Sequence, residues 1–139
     1  MADVYTLQPI TITEEDILLF AKSFDPQPIH VDQAYAEEGP FGGIIASGFH
    51  TLSAVWGRWI EAGYFGQQTM GGTGMESLKW LAPVRPGDTL FATVTVVETK
   101  PSRSKAQGLV KLQFDVRNQH DAVVMVTDGS VLLRSRVGG

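Results

Sequence analysis

Asp25 and His30 lie five residues apart in Phe24-Asp25-Pro26-Gln27-Pro28-Ile29-His30. Carboxylates and imidazoles are common proton carriers near neutral pH. Two prolines stand between them. Proline fixes its own φ and biases the preceding residue away from helix, so Asp25 and Gln27 are expected to be extended. The segment reads as a stiff loop rather than a helix that aligns two side chains. A stiff loop carrying both groups can hold them around one water, which suits adding water to a carbon–carbon double bond or removing it.

The flanking elements must position that loop. Pro9-Ile10-Thr11-Ile12 reads as a short extended run. Thr13 offers an N-cap, and Glu14, Glu15 and Asp16 fill a first turn where the helix dipole favours negative charge. Ile17, Phe20, Ala21 and Phe24 recur at helical spacing, so a short amphipathic helix is expected up to Phe24, stopped by Pro26. Residues 32–43 read as irregular or weakly helical, ending in the turn Pro40-Phe41-Gly42-Gly43. Ser47 is a good N-cap for a second helix over residues 48–62, which Gly63 ends. Phe49, Leu52, Trp56, Trp59 and Ile60 follow helical spacing there, and Ala54 and Val55 leave few polar positions. A helix apolar on most sides is expected to be buried.

Four extended runs follow, over residues 76–81, 89–98, 109–118 and 123–133. In the third, Val110, Leu112, Phe114 and Val116 alternate with Lys111, Gln113, Asp115 and Arg117, the period of a half-buried antiparallel strand. Pro86-Gly87-Asp88, Pro101-Ser102 and residues 118–121 supply turns between the runs. A helix of about 15 residues spans roughly 22 Å, a length that long antiparallel strands can curl around. The expected class is α+β with a segregated sheet.

Bulk composition narrows the function. A chain of 139 residues reads as one domain, and 43% hydrophobic with 19% charged residues is ordinary for a soluble globular protein. The net charge of −4, without a basic stripe, argues against nucleic-acid binding. The absence of cysteine excludes disulfides, thiolate metal sites and a cysteine nucleophile. His30, His50 and His120 lack close partners at ligand spacing, so no metal site is expected. The first residues lack the basic and apolar regions of a signal peptide, and no run reaches membrane-spanning length. The expected location is the cytoplasm.

Three segments together resemble a known family. Phe20-Ala21-Lys22-Ser23-Phe24-Asp25-Pro26-Gln27-Pro28-Ile29-His30 is similar to the hydratase motif of the MaoC-like, (R)-specific enoyl-CoA hydratases. Gly43-Ile44-Ile45-Ala46-Ser47-Gly48 before an apolar helix resembles that family's next segment. Leu81-Ala82-Pro83-Val84-Arg85-Pro86-Gly87-Asp88-Thr89-Leu90 resembles its "P-V-x-x-G-D" strand entry. The likeness covers roughly residues 11–133, with the motifs in order.

The resemblance implies a single hot-dog domain over residues 1–139, a long antiparallel sheet wrapped around a central helix. It also implies a homodimer or higher homo-oligomer whose sheets join edge to edge. The substrate it implies is an acyl thioester on coenzyme A, less often on acyl carrier protein, with no other cofactor. The expected reaction is hydration of a trans-2-enoyl-CoA to an (R)-3-hydroxyacyl-CoA, or the reverse dehydration, within fatty acid metabolism. Asp25 and His30 match the family's catalytic pair. The backbone N–H of Gly48 matches the donor to the thioester carbonyl. Gln27 replaces the Asn of many members, and Ser47 stands where some hydratases have His; both are expected to support the site.

Each part has a chemical reason. Negative charge builds on the thioester oxygen as water attacks the β-carbon, and an unpaired N–H at a helix N-terminus stabilises it. Glycine lets the thioester approach the backbone. Asp25 is assigned the base's part with His30 orienting the water; the reverse assignment stays open.

Other residues carry plainer readings. His50 reads as a satisfied core or interface histidine that can reach the same cavity, and His120 as a hairpin-turn residue. Trp56 and Trp59 read as core by their spacing, with Trp56 also a candidate acyl-pocket wall. Arg103 and Lys105, with Lys100, read as a solvated face that can also meet CoA phosphates. Gly71-Gly72-Thr73-Gly74 lacks the phosphate-loop spacing and reads as a flexible connection. Two competing functions remain, a hot-dog acyl-CoA thioesterase and a non-catalytic acyl-CoA-binding dimer. Thiol release distinguishes the first, and saturable binding without turnover the second.

Overall fold

The structure is a computed structural model that describes residues 3–65, 69–102 and 107–134. Helix α1 spans Glu14–Phe24, capped by the Thr13 hydroxyl, which accepts from the Asp16 N–H at 3.1 Å. Helix α4 spans Gly48–Ala62, capped by Ser47 and closed by Gly63 at φ 66°. Between them lie two short helices, α2 (Pro28–Val31) and α3 (Gln33–Glu38). The strands are β1 (Val4–Thr6), β2 (Ile10–Thr11), β3 (Thr69–Trp80), β4 (Thr89–Pro101), β5 (Gln107–Arg117) and β6 (Val123–Arg134).

All described pairings are antiparallel. The sheet order is β1-β4-β5-β6-β3, and β2 pairs with β4 beside β1. Alternation decides which face is buried. Leu90, Ala92 and Val94 of β4 and Val110, Leu112, Phe114 and Val116 of β5 all face inward. Thr51, Val55 and Trp59 of α4 recur every four residues and are buried. Val55 and Trp59 join the strands in one core, where the Trp59 ring meets Phe114 edge-on at 6.4 Å.

The fold corrects several expectations. The segment before His30 is not loop throughout, because Pro28 starts one helical turn that carries His30. Proline is suited to a first helical position, where its missing N–H has no partner to lose. Of the stretch read as irregular or weakly helical, residues 33–38 are the helical part, with the Asp32 carboxylate accepting from the Tyr35 N–H at 3.1 Å. The run at residues 71–74 is strand, not a flexible connection: Gly72 and Gly74 pair with Val131 and Ser130. Helix α4 buries only one stripe, and Phe49 and Ile60 are about half exposed.

Strand β3 positions the functional region. Its pairing with β6 breaks between Glu76 and Lys79, with Ser77 at φ 53°. Such a bulge re-aims the strand beyond it. Pairing resumes with Trp80 opposite Met125, and the Leu81 N–H reaches the Val124 carbonyl at 2.9 Å. Among the described residues, no helix is long and apolar enough to cross a membrane.

The burial pattern predicts where stability resides. Leu112→Ala, at a fully buried site in the central strand β5, should lower stability by about 2–5 kcal/mol in urea denaturation. Leu19→Ala, at a site that is 68% exposed, should change it by less than about 0.5 kcal/mol.

Candidate active site

Asp25 is the residue on which α1 ends. Its N–H closes the helix on the Ala21 carbonyl at 2.8 Å, and its own backbone (φ −155°, ψ 69°) is neither helical nor the extended conformation expected before Pro26. Gln27 is extended (φ −67°, ψ 142°), as expected before Pro28. The carboxylate is held from two sides. Oδ1 accepts from the Gln27 amide at 2.8 Å, and Oδ2 accepts from the Ser47 hydroxyl at 2.7 Å. Ser47 is fully buried, and its Oγ also accepts the Phe49 N–H at 3.2 Å. One hydroxyl therefore caps α4 and binds Asp25.

These contacts lower the Asp25 pKa. The Ser47 hydrogen bond is the largest cause, partial burial opposes it, and Gln27 and nearby His30 lower it further. Asp25 is thus anionic at neutral pH.

His30 is buried and locked at one nitrogen. Its Nδ1 lies 2.7 Å from the Ile45 carbonyl oxygen. A carbonyl can only accept, so Nδ1 carries a proton. Nε2 faces Asp25 Oδ2 at 3.4 Å. That is longer than a charge-assisted hydrogen bond of about 2.7–2.9 Å. In the neutral imidazole, Nε2 presents a lone pair toward the carboxylate.

A cavity of about 250 Å³ adjoins this pair. His30 and Gly48 contribute to its wall; Asp25 does not. The Gly48 N–H, at the first position of α4, has no hydrogen-bond partner among the described residues. A Cβ at Gly48 would overlap the Trp80 indole, which covers its Cα. The sequence alone did not single out Trp80 as a site residue. Its signal is its place immediately before the Leu81-Ala82-Pro83-Val84 segment. Phe41 also lines the wall, as do Thr51 and Val84, which sequence reasoning passed over.

The remaining candidates lie elsewhere. Trp56 is half-buried, packs 6.2 Å from Phe114 and lines a separate groove of about 450 Å³ with Leu52 and Met75. Arg103 and Lys105 lie outside the described residues. Lys100 is in strand β4, with its ammonium 3.3 Å from Glu98. No group of three or more metal-ligating side chains occurs among the described residues.

Comparison with known proteins finds relatives of the chain. A family model described as "MaoC like domain" matches residues 2–118. The chain is 36% identical over 134 residues to the uncharacterized protein YdeM of Bacillus subtilis, covering 96% of this chain and 94% of that protein. It is 41% identical over 102 residues to an (R)-specific enoyl-CoA hydratase of Rhodospirillum rubrum. That match covers 67% of this chain and 63% of the hydratase, so it spans less than two thirds of that relative's length. The crystal structure of a MaoC-like dehydratase from Rhodospirillum rubrum superposes with a TM-score of 0.89 at 34% identity, covering 98% of this chain and 93% of that one.

His50 stands apart from the cavity. Its ring stacks on Phe20 at 4.9 Å, and its buried Nδ1 has no partner among the described residues, so it is not the satisfied histidine expected from sequence. Burial lowers its pKa, and Asp16 opposes this only in part. The positive end of the α4 dipole also disfavours an imidazolium there. As pH falls through about 6.5, the unfolded chain takes up a proton that folded His50 refuses. Stability therefore falls until the lowered folded pKa is reached. Between pH 7.5 and 5.5, His50→Phe should lose less stability than the native chain, read as the shift in urea midpoint.

Proposed function

The chain belongs to the MaoC-like dehydratase family and has its hot-dog fold, and from that premise we propose that it is a lyase adding water to a trans-2-enoyl thioester of coenzyme A, or removing it. The (R)-3-hydroxyacyl thioester is the proposed product, by analogy with the hydratase relative. The observation that carries this reading is the 3.4 Å approach of Asp25 to His30, which shares the wall of one cavity with Gly48.

A water that bridges Asp25 Oδ2 and His30 Nε2 from beside the 3.4 Å gap can donate one hydrogen to each. Its lone pairs are then free for the β-carbon. The carboxylate–imidazole pair takes one proton from the water as the C–O bond forms. It returns one proton to the α-carbon as the enolate collapses, so it ends as it began. The Gly48 N–H donates to the thioester oxygen while that oxygen carries charge. The Nδ1–H bond to Ile45 keeps Nε2 as the working nitrogen.

Pairing with a second copy is part of the proposal. Strand β3 ends the sheet with its outer edge unpaired among the described residues, and Met75 and Trp80 on it are exposed. Edge strands of this kind are usually covered.

Three substitutions test the assignment. With crotonyl-CoA, followed by loss of the enoyl-thioester absorbance, Asp25→Asn should lower kcat about 10²–10⁴-fold with an unchanged circular dichroism spectrum. His30→Gln should act in the same direction. Retained activity in either variant removes this mechanism. Ser47→Ala should cost about 1 kcal/mol of stability through the lost cap. Because it also removes the largest cause lowering the Asp25 pKa, the acid limb of kcat/KM should move to higher pH.

A further inference from the structure

We propose that the Thr51 hydroxyl donates a third hydrogen bond to the reacting oxygen, which is the water in hydration and the 3-hydroxyl in dehydration. The proposal rests on the hydratase reading and adds a residue to its machinery.

Thr51 is 1% exposed in a single copy of the chain, so its burial needs no second copy. It lines the cavity of about 250 Å³ together with His30 and Gly48. Its hydroxyl has no hydrogen-bond partner among the described residues. A threonine inside a helix can bond the carbonyl four residues back. Here that carbonyl, of Ser47, takes the His50 and Thr51 N–H groups at 3.0 and 3.2 Å, and the hydroxyl is left out. Two polar side-chain atoms are sealed from water without a partner among the described residues, the His50 Nδ1 and the Arg58 Nε. The Thr51 oxygen is not one of them; it is unpaired but reaches the cavity that Thr51 lines. A buried hydroxyl without a partner is less favourable than a methyl group of the same shape. Packing alone would therefore be better served by valine, and the oxygen calls for a partner that enters the cavity.

The substrate offers few partners. Thr51 lies three residues beyond Gly48 on α4, so the two share a helix face. The Gly48 N–H is assigned to the thioester oxygen, and a simple enoyl chain has no other oxygen. Apart from His30, Thr51 and the Trp80 indole, the side chains of the wall are hydrocarbon. With the enoyl chain in place, the polar atom left for Thr51 is the oxygen that joins the β-carbon or leaves it.

This bond completes the water's geometry. Its two hydrogens point to Asp25 and His30. One lone pair accepts from Thr51, and the other is left facing the β-carbon. As the C–O bond forms, one O–H bond of the water breaks toward the carboxylate–imidazole pair, and Thr51 keeps its own proton. In the reverse direction the C–O electron pair leaves with the oxygen, and the Thr51 O–H donates to it while it carries charge.

The test compares Thr51→Val, which keeps the shape and removes the hydroxyl, with Thr51→Ser, which keeps the hydroxyl. With crotonyl-CoA, Thr51→Val should lower kcat about tenfold to a hundredfold. Its KM should change by less than about threefold, because this group does not hold the enoyl chain itself. KM for (R)-3-hydroxybutyryl-CoA should rise about tenfold, because the 3-hydroxyl loses its donor. Thr51→Ser should recover kcat to within about threefold of native. The urea midpoint of Thr51→Val should equal or exceed the native one, since an unpaired polar group is removed. Native kcat in Thr51→Val, or no recovery in Thr51→Ser, would overturn the proposal. So would a lowered midpoint alongside the lost activity, which marks a structural hydroxyl. If the native chain hydrates no enoyl-CoA, the hydratase reading fails, and calorimetric titration decides this proposal separately. The native chain should then bind (R)-3-hydroxybutyryl-CoA about tenfold more tightly than butyryl-CoA, and Thr51→Val should bind the two alike. Equal binding by the native chain overturns it.

Discussion

The Ser47 hydroxyl is bonded in two directions at one point. It accepts the Phe49 N–H and donates to Asp25 Oδ2. The first bond satisfies a donor at the exposed end of a helix ladder; the second holds a carboxylate that terminates another helix. Bonds in such a series polarise one another in a poorly hydrated place. Ser47 is fully buried, so its oxygen has no water to fall back on. The start of α4 and the end of α1 are therefore fixed relative to each other by the group that also sets the charge of Asp25. A shift of either helix end changes the chemistry of the carboxylate.

His30 is fixed by a second set of links. Its N–H bond to Ile45 is backed by the segment around it, since the Ile45 N–H reaches the Ile29 carbonyl at 3.3 Å and the Ala46 N–H reaches Val84 at 2.8 Å. Residues 45–47 thus touch α2, the strand entry at Val84, and α4 in succession. This short stretch orients the imidazole, forms part of the cavity wall and ends as a cap. Its backbone groups are spent on these links, which is why an irregular segment can lie buried at the centre of the site.

Much of this was legible in the residues because it depends on local chemistry. The caps at Thr13, Ser47 and Gly63 and the alternation through Val110 and Val116 are set by neighbours in the chain. So is the extended backbone of Gln27 before Pro28. The helical turn at Pro28 was also written there, but the rule that bars helix before proline hid the rule that favours proline at a helix start. The strand at Gly72 and Gly74 was misread because glycine weakens strands, and its pairing with distant β6 overrides that preference. Trp80 over Gly48, Ser47 against Asp25 and the unsatisfied nitrogen of His50 are contacts between separate segments. No spacing rule reaches them. The family resemblance supplied the Asp25–His30 assignment, but not the ring that roofs the glycine.

The strand order has a consequence for how the protein is made. Strand β3 is the first of the four long strands in the chain, yet the strand it pairs with is β6, the last. Trp80 and Leu81 acquire their neighbours in β6 through Met125 and Val124. A ribosome that has released α4 and β3 has therefore delivered the helix end and both titratable side chains, but not the strand that holds Trp80 in place beside them. Contacts this distant in sequence form late, so a chain truncated before β6 should carry an unroofed site and an unpaired β3 along its whole length. The nascent protein is most adhesive just before it becomes competent, and its last strand both silences that edge and closes the pocket.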